Sequence, residues 1–316
     1  MSPGPRDPSV VFLAGQFGDE LVDRSRAMSL LRCDDQALDR LIADGLPSLT
    51  HDGSPRFGYC DVMNAGLYHG SRFTVAAIAE RYLVQFCRQD VRTWAAPRRW
   101  SLSVQVTCPQ GCRADDRGRL PVPDTGCLLD PADSWAADGD GPAARWRLHV
   151  RSIGRPGSVT SPIVRDIYRG ALDDLETHQV RYQYLPRALR RDAAAARSMG
   201  VGDCLSVAMS LHDACTEVGV PSRLRRGYLL GLMPIEHIWL DAQDDDGAFK
   251  PLDPVLAALA KRSAAAGEAD EFFIGSTPAT LVPWPGHHAR PIFTAGCEHS
   301  GVRTSVTAEQ ELAAVA

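Results

Sequence analysis

The chain has 316 residues, 44% hydrophobic and 23% charged, the balance of a soluble globular protein long enough for two domains or for one with a large insertion. A formal net charge of -5 argues against a general nucleic-acid or anionic-membrane surface. No stretch approaches the ~18 apolar residues of a membrane span, the amino terminus lacks an export-signal pattern, and nine widely spread cysteines read as reduced thiols of a cytoplasmic protein.

Residues 1–18 are rich in Pro and Gly and are expected to be loosely ordered. In 19–75 a short helix ends near Leu31, a turn occupies Arg32 to Asp35, and a second helix carries Leu38, Leu41 and Ile42 before Gly45. The polar stretch "THDGSPRF" reads as a hairpin tip leading to a further short element. Over about residues 20 to 75 this rhythm resembles the winged helix-turn-helix of excisionases and regulators. A DNA reader needs a basic recognition helix. Here that helix sets Asp34, Asp35, Asp39 and Asp44 against Arg40, and Asp19 to Arg72 holds six arginines against nine acids. Packing or partner docking is therefore expected in place of DNA binding.

Residues 76–155 read as a helix plus a strand pair with a long surface loop. Arg72 to Arg88 has the pattern of a single buried amphipathic helix. Trp100, Leu102, Val104 and Val106, then Trp146, Leu148 and Val150, alternate with polar neighbours as half-buried strands do. The Gly-, Pro- and Asp-rich run between them contains Cys108, Cys112 and Cys127, a poor match to zinc-ligand spacing, and no metal or cofactor is expected.

Residues 156–296 form the expected core, with 297–316 as a tail. Ser161 and Pro162 open a helix to Leu175, "VRYQYL" is strand-like, and an Arg/Ala-rich connection leads to "GVGDCLSVAMSLHDAC". Ala208, Leu211, Cys215 and Val218 repeat at helical spacing from Cys204, and Gly219 and Pro221 end the helix. Cys204 thus occupies a first helical turn, where free N–H groups and the helix dipole favour a thiolate. A small buried hydrophobe would satisfy the same position.

Downstream, "RLRRGYLLG" reads as a strand with Leu224, Tyr228 and Leu230 placed to pack. In "IEHIWLD" alternation puts Ile235, His237, Trp239 and Asp241 on one face, with Glu236 opposite, toward solvent or in a salt bridge. A hairpin centred near Asp245 would pair residues whose numbers sum to about 490, making His237 and Asp253 direct cross-strand neighbours. Cys204, His237 and Asp253 then supply a nucleophile, a base and an orienting acid. Cys215, about 16 Å further along the helix axis, belongs in the core, and His287 and His288 sit in a Pro/Gly-rich rim.

The stretches "GVGDCLSVAMSLHDACTEVGVPSRLRRGY", "EHIWL" and "FKPLDP" resemble, in order and spacing, the three core motifs of the transglutaminase-like superfamily. The resemblance spans about 140 residues, from near Ser161 to "LVPWPG". It implies an α+β fold: a papain-like core whose nucleophile-bearing helix packs on an antiparallel sheet, here preceded by a small winged-helix-like module. It implies Cys204 as nucleophile, His237 as general base, Asp253 as its orienter, and upstream side chains, here Gln183 or Tyr184, as oxyanion donors. The implied chemistry is acyl transfer through a thioester acyl-enzyme. An intracellular amide-forming acyltransferase is favoured, with a thioester or amide donor, an amine acceptor and a carrier protein among the partners. A cytosolic cysteine peptidase or amidase is the alternative, and a DNA-binding regulator the third.

Overall fold

The computed structural model describes residues 10–108, 110, 123, 127, 136–138, 143–231, 234–262, 268–286, 292 and 303–311. It is a mixed α/β chain whose larger sheets are antiparallel, compatible with an α+β fold.

The N-terminal elements follow from local capping chemistry. Strand β1 (Leu21–Asp23) runs into helix α1 (Arg24–Leu31), where the Asp23 carboxylate accepts the N–H of Arg26. Asp34 repeats the device for α2 (Asp35–Ala43), accepting from Ala37 N–H. Strands β2 (Leu49–His51) and β3 (Ser54–Gly58) form a hairpin closed by Asp52 and Gly53, both at positive φ, the two-residue turn that Asp-Gly favours. β3 also pairs with β1. Helices α3 (Tyr59–Tyr68) and α4 (Val75–Leu83) complete this part, whose apolar side chains form their own cluster around Leu30, Leu38, Phe57 and Val62. The single helix expected over Arg72 to Arg88 is shorter. It begins after the Thr74 cap, whose hydroxyl accepts Ala77 N–H, and gives way to a 3₁₀ turn at Gln85–Arg88.

Strands β4 (Arg98–Thr107), β5 (Ala136–Asp138) and β6 (Ala143–Ser152) carry the alternation read from the sequence: Trp100, Leu102, Val104, Val106, Trp146, Leu148 and Val150 are all buried. Helix α5 (Pro162–Glu176) starts at Ser161, but the Ser161 hydroxyl does not cap it. The Asp244 carboxylate takes the N–H groups of Thr160 and Ser161 instead. The strand-like "VRYQYL" is reduced to β7 (Arg181–Tyr182). Two short helices, α6 (Arg187–Arg190) and α7 (Ala193–Ser198), connect it to β8 (Val201–Gly202), with which it pairs in parallel.

Helix α8 (Cys204–Glu217) begins at Cys204 and ends before Gly219, which takes the left-handed φ of 74°. Its Ala208, Leu211 and Cys215 are buried, whereas Val218, expected on the same face, is exposed beyond the last turn. Strands β9 (Ser222–Leu229), β10 (Ile235–Gln243) and β11 (Phe249–Leu252) are followed by α9 (Pro254–Arg262), α10 (Glu268–Phe272) and β12 (Leu281–Trp284). The central sheet runs β11-β10-β9-β12. Tyr228, Leu230, Val282 and Trp284 of this sheet pack on the β4–β6 sheet, while Trp239, Leu240, Ala242 and Leu252 join side chains of α5, α8 and α9. Within β10 burial is continuous from His237 to Ala242 in place of the alternation expected there. The segment read as a tail supplies β13 (Arg303–Glu311), which pairs along β4 and makes the outer sheet order β13-β4-β6-β5.

The N-terminal elements are fastened to the strand beside α8. Asn64, fully buried, donates its amide to the Tyr184 carbonyl at 2.9 Å and accepts the Tyr184 N–H at 2.7 Å. The Tyr68 hydroxyl donates to the carbonyl of Tyr182. Asn64→Ala leaves two backbone groups without partners, so a loss of about 2–4 kcal/mol in unfolding free energy is expected by urea denaturation. A variant as stable as the parent would show that Asn64 does not fasten the two parts.

Candidate active site

The site is assembled from two helix starts and one strand. Asp203 caps α8: its Oδ1 accepts the N–H groups of Leu205 (3.1 Å) and Ser206 (2.9 Å), and the Ser206 hydroxyl accepts the N–H of Asp203. This fixes the first turn and with it Cys204, which borders a cleft of about 600 Å³. The second start is that of α9, where Asp253 Oδ1 accepts the N–H of Leu256 at 3.0 Å.

His237 comes from β10. Its Nε2 lies 2.6 Å from Asp253 Oδ2, both residues being almost completely buried. With Nε2 taken by Asp253, Nδ1 is the ring nitrogen left for Cys204, and the ring stacks on Trp239 with the planes 13° apart. Burial by itself disfavours the imidazolium. The Asp253 carboxylate and the Cys204 sulfur outweigh it and push His237 up to about 10. The arrangement can hold a thiolate–imidazolium pair with the ring oriented by the acid.

The juxtaposition of His237 and Asp253 does not arise by the expected register. β10 and β11 pair with numbers summing to 492 (Leu240 with Leu252, Asp241 with Pro251), one step displaced, and the ladder ends at Leu252. Gly247, at φ 78°, sits in the turn and shifts the hairpin centre past Asp245. Asp253 lies beyond the strand as a helix cap, and it reaches His237 from there. His237 itself faces Gly227 on β9, where a Cβ would meet the Val282 carbonyl oxygen at 2.3 Å. Only glycine allows that approach of β12.

Gln183 and Tyr184 both border the cleft, and the N-terminal elements bind the Gln183 amide and the Tyr184 backbone. The buried Gln183 amide exchanges hydrogen bonds with the backbone of Val11, both at 3.4 Å, and the Tyr184 backbone is held by Asn64. Tyr182 is the nearer phenol. Burial, and next the Cys204 sulfur, hold it well above its ordinary value, so it stays a neutral O–H. Glu236, read as solvent-facing or salt-bridged, is half-buried on the cleft wall, and its carboxyl is raised by burial against the opposing pull of Arg190 and Arg226. Asp19, Glu20, Tyr59 and Cys60 of the N-terminal elements close the opposite wall.

The most consequential residue missed in the sequence is Arg190, at the end of α6. Its Nε donates to Asp203 Oδ2 and its Nη2 stands 4.0 Å from Cys204 Sγ. The Arg/Ala-rich connection gives no spacing signal that singles it out among Arg187, Arg190, Arg191 and Arg197. Of the cysteines considered for zinc, Cys108 is buried, Cys127 is half-buried against the outer-sheet cluster, and Cys112 lies outside the described residues, as do His287 and His288. Among the described residues no three His, Cys, Asp or Glu side chains gather as a metal site, and among them no helix is long and apolar enough to cross a membrane.

No protein-family model matches the chain, and no curated protein matches it. One solved structure, described as a "Putative Cysteine Protease from Cytophaga hutchinsonii", aligns at 11% identity over 68% of this chain and 86% of its own, with a TM-score of 0.27. A likeness that slight has no bearing on the site.

The His237 shift gives a signed pH dependence. The folded value stands above the ordinary 6.5, so the bound proton stabilises the fold fully below 6.5 and is lost as pH rises through about 10. Wild-type protein should lose more stability between pH 7 and pH 10.5 than Asp253→Asn, by urea denaturation across that range. Direct NMR titration of the ring should place it in the alkaline range, and a midpoint near 6.5 would show that the carboxylate does not govern it.

Proposed function

We propose that the protein is a cysteine-dependent acyltransferase of the transglutaminase type, forming an amide through a thioester acyl-enzyme. What carries this reading is the buried 2.6 Å His237–Asp253 contact, set at the sulfur of a cysteine that opens a helix beside a cleft. The motif resemblance and the packing of α8 against a central antiparallel sheet support a papain-like core. The strand–helix–helix–hairpin order of residues 21–58 supports the winged-helix resemblance, but Arg24 is tied to Asp35 and Asp39 at 2.7 Å each, which favours a packing role over phosphate contact.

In this mechanism the Cys204 thiolate attacks the carbonyl of a thioester or amide. The C=O electrons move onto oxygen, next to the Cys204 N–H at the head of α8. Collapse of the tetrahedral species expels the leaving group, which takes its proton from the His237 imidazolium. Neutral His237 then removes a proton from the incoming amine, whose attack releases the amide and restores the thiol. Asp253 keeps Nε2 occupied so that Nδ1 meets the sulfur throughout. A cleft of about 600 Å³ offers room for donor and acceptor together.

The test offers an acyl thioester with and without a primary amine and follows amide against free acid by mass spectrometry. Amide in excess is expected, while acid alone would reassign the protein as a hydrolase. Cys204→Ala should abolish acyl-enzyme formation, His237→Ala should do nearly as much, and Asp253→Asn should cost roughly 10²- to 10⁴-fold. Double variants should fall little below Cys204→Ala, since members of such a unit are not additive. An undiminished rate in Cys204→Ala would overturn the mechanism.

A further inference from the structure

The triad leaves one charged group at the nucleophile without a part in the chemistry. Arg190 is half-buried, and Asp203 clamps its Nε, so the guanidinium plane is fixed while the same carboxylate caps α8. Its Nη2 is then held 4.0 Å from Cys204 Sγ, within reach of a charge-assisted hydrogen bond to a thiolate. A cation anchored in this way needs no reorganisation when negative charge appears on or next to the sulfur.

The other donors are less well placed. Gln183 is bound to the Val11 backbone, and the Tyr184 backbone is bound to Asn64. Charged and titratable neighbours come from every side: Asp203 at the head of α8, His237 and Glu236 on β10, Tyr182 on β7, and Asp19 and Cys60 across the cleft. Asp203 is occupied by the cap and by the Arg190 Nε, and Cys60 and Tyr182 are both raised by burial and stay neutral. His237 is already engaged by Asp253. Arg187 and Arg191 line the same cleft, and Arg190 is the arginine whose guanidinium stands 4.0 Å from the sulfur.

We propose that Arg190 is a fourth catalytic group, whose guanidinium stabilises the Cys204 thiolate and then the oxyanion formed when the sulfur attacks the carbonyl. As the Sγ–C bond forms and the C=O electrons shift to oxygen, Arg190 donates hydrogen bonds and transfers no proton. As the C=O bond re-forms and the leaving group departs with the His237 proton, those bonds are released, and they return to the sulfur when deacylation restores the thiolate. The oxyanion part rests on the acyl-transfer reading, while the thiolate part does not.

The test uses the full chain and needs no knowledge of the substrate at its first stage. Cys204 alkylation at pH 7 is followed by mass spectrometry with two probes, neutral iodoacetamide and anionic iodoacetate. Arg190→Gln should slow alkylation by iodoacetamide about tenfold, the scale of one lost charge-assisted hydrogen bond, and should lower the iodoacetate-to-iodoacetamide ratio. Arg190→Lys should restore much of both. A role confined to propping Asp203 would leave the ratio of the two probes unchanged, and thermal melts of both variants confirm that α8 is intact. With an acyl thioester, Arg190→Gln should lower kcat by about 10²- to 10³-fold with KM little altered. Alkylation within twofold of wild type, or a loss confined to KM, would overturn the proposal. Turnover that survives Cys204→Ala would instead sink the acyl-transfer reading and leave the alkylation result to be judged alone.

Discussion

Two aspartates at helix starts each divide their carboxylate between a backbone and a site cation, and the geometry of the centre depends on that division. Asp203 gives Oδ1 to the first N–H groups of α8 and Oδ2 to Arg190. Asp253 gives Oδ1 to the first turn of α9 and Oδ2 to His237. An N-terminal cap has its angles fixed by the helix it serves, so the free oxygen is aimed without further support. Each cap thereby converts the rigidity of a helix into the orientation of a reactive side chain. The two cations so held flank Cys204, itself fixed by the first of the two caps.

Burial gives these contacts their strength and sets their cost. His237 and Asp253 are almost without solvent, where an unpaired charge would be expensive and a paired one is strongly held. The enclosing material is the helix layer of α5, α8 and α9 on one side and the outer sheet on the other. Cys204, by contrast, is at the edge of this enclosure, where the cleft begins. The N-terminal elements act on the same edge. Through Asn64 and Tyr68 they hold residues 182–184 by the backbone, and through Asp19, Glu20 and Tyr59 they supply the facing wall. Their contribution to the cleft is thus both scaffold and lining.

Much of the site was legible in the residues themselves. The start of α8 could be read because caps, helical repeats and the Gly219 stop are contacts between residues a few positions apart. The same holds for α1 and α2, for the Asp-Gly turn, and for the alternation of β4 and β6. The pairing of His237 with Asp253 was reached, but through a register that the structure displaces. The sequence of a turn constrains its centre only to within a residue, and β11 stops before Asp253.

What tertiary structure alone decided has one physical cause: contacts between distant segments leave no periodic trace in the chain. Asn64 and Tyr184 are 120 residues apart and Gln183 and Val11 are 172 apart, so nothing near Gln183 or Tyr184 announces that the Gln183 amide and the Tyr184 backbone are taken. Arg190 lies only 14 residues before Cys204, yet α6, α7 and β8 must fold back for its guanidinium to reach the sulfur. Glu236 read as solvent-facing or salt-bridged because alternation describes a half-exposed strand, whereas burial along β10 is continuous from His237 and Glu236 lies on the cleft wall. The sequence by itself determined where α8 begins and that Cys204 opens it, since caps and helical repeats are set between residues a few positions apart. Which groups surround that sulfur was decided by packing, because only the folded chain brings them within reach.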